Sequence, residues 1–170
     1  MADFTGKARR LTAPLLIVWH SRTGAARALA HAAHAAAGDG ARLIAAADAT
    51  PADLLGAGGY LFVGPENLGA LSGAMKELFD RCYYPLLGRI EGRPYATVIA
   101  AGSAGQGAEA QLDRIVTGWR LRRVADGVIV NLGAQTPEAI LAEKAVPPAA
   151  LAQASELGAA LAEGVVQGIF

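Results

Sequence analysis

Three loops concentrate the residue types that could do chemistry. The first is His20-Ser21-Arg22-Thr23-Gly24-Ala25-Ala26, directly after the apolar run Leu15–Trp19. Ser21 and Thr23 bring hydroxyls, and Gly24 permits close backbone approach. A helix opening behind them offers free N–H groups and a partial positive charge. That assembly suits a phosphate monoester. An ordinary strand-to-helix turn capped by Ser or Thr has the same local sequence, so both readings stand on the loop alone. The loop lacks the lysine and the spacing of a Walker loop, and it is not G-x-G-x-x-G. The second loop, residues 64–76, follows an apolar run at 60–63 and contains Pro65, Glu66, Asn67, Leu68 and Gly69. The third, Gly102-Ser103-Ala104-Gly105-Gln106-Gly107, follows another such run at 95–101. Each loop contains glycine, and each ends a buried run.

Other reactive types are better placed for structure than for chemistry. His31 and His34 are three apart beside Arg27, but no further ligand or carboxylate accompanies them, so no metal site is expected. His20 is placed to orient the first loop. Met75 and Cys82 fall on the apolar face of their helix. Lys76 with Asp80, and Glu77 with Arg81, have the spacing of surface ion pairs. Tyr83, Tyr84 and Trp119 are either packed or free to stack on a ligand or partner. Arg120, Arg122 and Arg123 read as a solvated sheet edge.

The elements that must position these loops alternate. Short apolar runs at 15–19, 41–47, 60–63, 95–101 and 128–132 are separated by helical patterns at 24–37, at 71–82 and across 112–119. Four of the five runs are apolar on both faces, as in central parallel strands. Met75, Leu78, Phe79 and Cys82 recur at helical spacing, as do Leu112, Ile115, Val116 and Trp119. A turn of helix is expected near 51–55, and Thr136-Pro137-Glu138 opens another helix. The last helix runs from Pro148 to about Val166, with Leu151, Leu157, Leu161 and Val165 as its buried points. The expectation is a doubly wound five-stranded parallel sheet, order 2-1-3-4-5, with helices on both faces. Residues 1–13 read as a flexible tail and 14–170 as the domain. In such a sheet, ligands bind outside the carboxyl ends of the strands, where the strand order reverses. All three loops fall there.

The bulk composition excludes several classes. At 170 residues, 53% hydrophobic and 18% charged, the chain is a single globular domain. Lys plus Arg equals Asp plus Glu, so neither nucleic acid nor an anionic membrane surface is an expected partner. Lys7, Arg9 and Arg10 precede an apolar run too short for a signal peptide, and Cys82 is the single cysteine. A cytoplasmic location is expected.

The motifs carry a resemblance. Ser21-Arg22-Thr23-Gly24-Ala25-Ala26 resembles the flavodoxin FMN-phosphate signature, Thr/Ser-x-Thr-Gly-x-Thr. Ala26 stands where that signature has a hydroxyl, so one side-chain bond to phosphate is missing while the backbone N–H groups remain. Pro65, Gly69, Gly73, Met75 and Lys76 match the Pro-x-x-x-Gly-x-x-x-Gly-x-Met-Lys pattern of FMN-dependent NAD(P)H:quinone oxidoreductases. Phe79-Asp80-Arg81 extends the likeness to NAD(P)H-dependent FMN reductases. The resemblance implies a flavodoxin-like fold with FMN held by Ser21 to Ala26, Pro65 to Gly69 and Gly102 to Gln106. It also implies electron flow from NAD(P)H through FMN to a quinone, flavin or similar small acceptor, without a catalytic side chain, and a homodimer. An electron carrier and a flavin-free binding module are the alternatives. Carriers of this kind tend to be strongly acidic, and this chain is neutral.

Overall fold

The computed structural model describes residues 13–170. The expected tail therefore lies almost wholly outside the described residues. The chain runs through β1 (Leu15–Trp19), α1 (Ala25–Ala37), β2 (Ala41–Ala45), α2 (Pro51–Leu55) and β3 (Gly59–Asn67). There follow β4 (Ala70–Leu71), α3 (Gly73–Leu86), β5 (Pro94–Ala101) and α4 (Gln106–Gly118). The last elements are β6 (Arg122–Arg123), β7 (Val128–Asn131), α5 (Pro137–Leu141) and α6 (Pro148–Gln167).

The sheet is the expected doubly wound one. Its path is β2-β1-β3-β5, all parallel, with β6 and β7 side by side in sequence along the outer edge of β5. Counting β6 and β7 as one interrupted strand restores the five-strand order 2-1-3-4-5. The interruption has a visible cause. The Arg123 guanidinium binds Glu109, Asp113 and Thr97 at the sheet edge. A Cβ on Gly127 would lie 2.1 Å from a Glu109 oxygen, so the backbone must bow around this polar knot. The other extra strand, β4, folds back antiparallel on the end of β3. The second loop is thus a hairpin rather than an irregular connection.

Alternate residues of each strand feed opposite faces. Leu16, Val18, Tyr60 and Phe62 pack beneath α3 and α4 with Met75, Leu78, Phe79, Leu112 and Trp119. Leu15, Ile17, Leu61 and Val63 pack beneath α1 and α6. Trp119 is buried edge-on against Phe79, with centroids 5.3 Å apart, so it is a core residue. The helix at 51–55 forms with Thr50 and Asp53 capping each other. Lys76–Asp80 and Glu77–Arg81 pair along α3 as spaced.

The last helix sits differently from expectation. Of Leu151, Leu157, Leu161 and Val165, only Leu161 is fully buried. The buried stripe is Ala150, Ala154, Gly158, Leu161, Ala162 and Gly164. A Cβ on Gly158 would lie 2.5 Å from the Ala33 carbonyl oxygen. Backbone contact with α1 therefore sets the rotation of α6, and the larger leucines turn to its flanks.

Candidate functional site

The three loops meet where the strand order reverses. In the first, the Ser21 hydroxyl accepts a hydrogen bond from the Gly24 N–H at 3.0 Å, which curls the loop. Gly24 caps α1 with φ +93°, a conformation that L side chains rarely adopt. Among the described residues, nothing accepts from the N–H groups of Ala25, Ala26 or Arg27. Ala25 and Ala26 are both buried. Unpaired donors at a helix start are a ready anion cradle.

His20 ties this loop to the next. Its backbone N–H donates to the Val63 carbonyl at 3.1 Å, and its Nδ1 lies 2.8 Å from Ser72 Oγ. Ser72 is itself buried at the start of α3. Burial first, and the neighbouring Arg22 charge second, hold the imidazole pKa below its ordinary value. The ring is therefore neutral at pH 7 and serves as a loop anchor.

The second loop turns at Leu68 and Gly69, with φ +51° and +73°. Positive φ at both central residues matches the twist of a tight hairpin. For leucine this conformation costs about 1 kcal/mol or more. Yet the Leu68 side chain is wholly exposed, at 107% of its reference area. Glu66 reaches away from the turn. Its two carboxylate oxygens accept from the N–H groups of Gly105 and Ala108 at 2.9 and 3.0 Å, at the start of α4. A Cβ on Gly107 would lie 2.0 Å from the Gly69 carbonyl oxygen, so the second and third loops interlock. The Ala134 N–H in turn donates to Gly102 O at 2.9 Å.

Between the loops lies a cavity of about 650 Å³. Ser21, Arg22, Thr23, Ala25 and Ala26 line it from the first loop. Pro65, Glu66, Asn67, Leu68 and Gly69 line it from the second, and Gly102 and Ser103 from the third. Gly24 borders an adjoining cleft of about 340 Å³ with Trp19 and Arg27. Ala104, Gly105 and Gln106 do not line the cavity, and Gly105 acts through its N–H to Glu66.

A further wall was not foreseen from the sequence. Leu132, Ala134, Ile140, Leu141 and Lys144 line the same cavity. They belong to a strap at residues 132–147 that carries α5. The Lys144 N–H donates to the Thr23 carbonyl at 2.8 Å, and Glu143 stands against Gly24 and 3.8 Å from Arg27. The sequence marked the start of α5 through Thr136, whose hydroxyl does accept from the Ala139 N–H. It carried no signal for the direction of the strap. That direction follows from topology: β7 is at one edge of the sheet, α6 packs on α1, and the connection must cross the carboxyl ends between them.

No cluster of three or more His, Cys, Asp or Glu able to hold a metal occurs among the described residues. None of their helices is long and apolar enough to cross a membrane.

Residues 29–135 match the family model described as NADPH-dependent FMN reductase. The chain belongs to the NADPH-dependent FMN reductase family. The matched stretch contains the second and third loops and begins just past the first. No curated protein matches the chain. Solved structures do. A flavodoxin from the domain Archaea superposes with a TM-score of 0.71 at 14% identity, covering 89% of this chain and 98% of that one. A flavodoxin, WrbA-like protein from Agrobacterium tumefaciens gives 0.68 at 22% identity, covering 91% and 98%. The flavodoxin of Megasphaera elsdenii gives 0.68 at 20%, covering 88% and 98%. Identities this low establish the flavodoxin-like fold. Family and fold together support an FMN-dependent oxidoreductase or flavodoxin-like function.

Proposed function

We propose that this chain binds FMN in the 650 Å³ cavity and passes electrons from NAD(P)H to a quinone, flavin or similar small acceptor. The observation that carries the reading is the pairing of that cavity with a cradle of unpaired N–H groups at Ala25, Ala26 and Arg27. The cavity volume falls within the range of small-molecule cofactor sites. The terminal phosphate monoester of FMN suits the cradle, and the Thr23 hydroxyl lies beside it on the same wall. Pro65 to Gly69, with Gly102 and Ser103, form the walls for the ring. When bound, FMN supplies two-electron redox chemistry that no side chain of this site provides. The protein positions the ring, shields it with Leu68, Ile140 and Leu141, and presents loop N–H groups to it.

The neutral net charge favours a small acceptor over a protein partner, since a carrier gains its docking rate from long-range steering. We assign the chain to the cytoplasm, as a single domain over 14–170 and a homodimer. The deciding experiment mixes the FMN-loaded protein with NADH and with NADPH in a stopped-flow spectrophotometer. Direct bleaching of the oxidised flavin band is the expected result. A flavin that stays oxidised with both nicotinamides, yet accepts electrons from a separate reductase, would make the protein a carrier. Failure to bind FMN after reconstitution would leave a flavin-free binding module.

A further inference from the structure

The first loop is one hydroxyl short of a full phosphate site, because Ala26 has no polar atom to offer. The strap brings a cationic residue to the cavity that Ala26 lines. Lys144 is hydrogen-bonded to the loop itself, its N–H on Thr23 O at 2.8 Å. Its side chain lines the same cavity as Thr23, Ala25 and Ala26. The ammonium group donates to the carbonyls of Ile140 and Ala142, at 2.9 and 2.5 Å. An ammonium has three protons, so one remains uncommitted. Among the described residues, no carboxylate neutralises it. The paired carboxylates engage Arg27, Arg42, Lys76, Arg81 and Arg123 instead.

We propose that Lys144 is a phosphate ligand of this site: its ammonium group binds the phosphate of FMN, in place of the hydroxyl that Ala26 lacks. The inference rests on the FMN reading above. The two strap carbonyls already fix the ammonium, so little side-chain freedom is lost when an anion arrives. Riboflavin has the same ring and no phosphate, so it separates this role from general packing.

The test is a set of fluorescence-quenching titrations with FMN and with riboflavin, on the full chain and on Lys144→Gln and Lys144→Arg. The proposal expects Lys144→Gln to weaken FMN by about tenfold, the loss of one charge-assisted hydrogen bond. Riboflavin affinity should change by less than about twofold on the same estimate. Lys144→Arg should restore most of the FMN affinity. Raising the salt should weaken FMN binding more in the unmodified protein than in Lys144→Gln. Equal FMN affinity in Lys144→Gln and the unmodified chain would overturn the proposal while leaving the FMN site standing. Equal loss for FMN and riboflavin would overturn it too, by showing that Lys144 merely packs the strap. An unmodified chain that binds neither flavin would remove the FMN reading and this proposal together.

Discussion

At the residue scale, the first loop divides its work between backbone and side chain. Ser21 shapes the turn through the Gly24 N–H, whereas Thr23 lines the cavity and its hydroxyl has no hydrogen-bond partner among the described residues. Thr23→Ala should therefore remove a hydrogen bond to a charged group, worth about 1.5–3 kcal/mol of FMN affinity. Gly24→Val should do worse, because a β-branched residue is strained at φ +93° and would distort the loop. Isothermal titration with FMN checks both, and unchanged affinity in both variants would place the ligand elsewhere. His20 makes a pH prediction. Its folded pKa is lowered, so the unfolded chain takes up a proton first as pH falls. The contribution of His20 to stability is complete above about pH 6.5 and fades as pH drops through the lower folded value. Urea melts between pH 8 and 5 should show this loss, and His20→Gln should flatten the profile. A profile identical in both proteins would mean that other groups govern it.

At the element scale, Glu66 is the tie between hairpin and helix. It was read from the sequence as a cofactor contact, and it does line the cavity, but both of its oxygens are committed to α4. Glu66→Ala should lower stability by about 2 kcal/mol, since two N–H groups lose a charged acceptor. It should also speed hydrogen exchange at Gly105 and Ala108 and weaken FMN through the loosened loops. Unchanged exchange at those two amides would refute the tie. The strands were legible because buried parallel strands are continuous apolar runs, and the Thr50 and Thr136 caps were legible because their signals are local. The β3–β4 hairpin was not. Its turn places Leu68 at positive φ, against the usual preference for glycine or asparagine there, so the sequence gives no turn signal. Nor was the strap legible, because its path depends on where α6 docks. That docking rests on Gly158 meeting the Ala33 carbonyl, a contact between residues far apart in the chain.

At the scale of the whole molecule, the question is what covers the open side of the cavity. Tyr83, Tyr84 and Leu87 are exposed, as an interface would require, but they lie at the wrong end. They close α3, which starts beside the site and runs 14 residues away from it, about 20 Å at 1.5 Å per residue. A partner docked there would not reach the cavity. The exposed apolar residues that do border it are Leu68, Ile140 and Leu141, from two facing walls. Leu68 is held there at a backbone cost that its own fold does not repay with burial. A second copy docked over this rim would bury the leucine and close the ring from solvent in both chains at once. The absence of net charge leaves little repulsion to oppose it. Sedimentation of the FMN-loaded protein at micromolar concentration should therefore show a dimer. Leu68→Asp should shift it toward monomer and reduce acceptor turnover, because two carboxylates would be driven into the contact. Tyr84→Ser, at the far end of α3, should leave both properties unchanged. A monomer that oxidises NAD(P)H at full rate would remove both the dimer and the need for a second chain at the site.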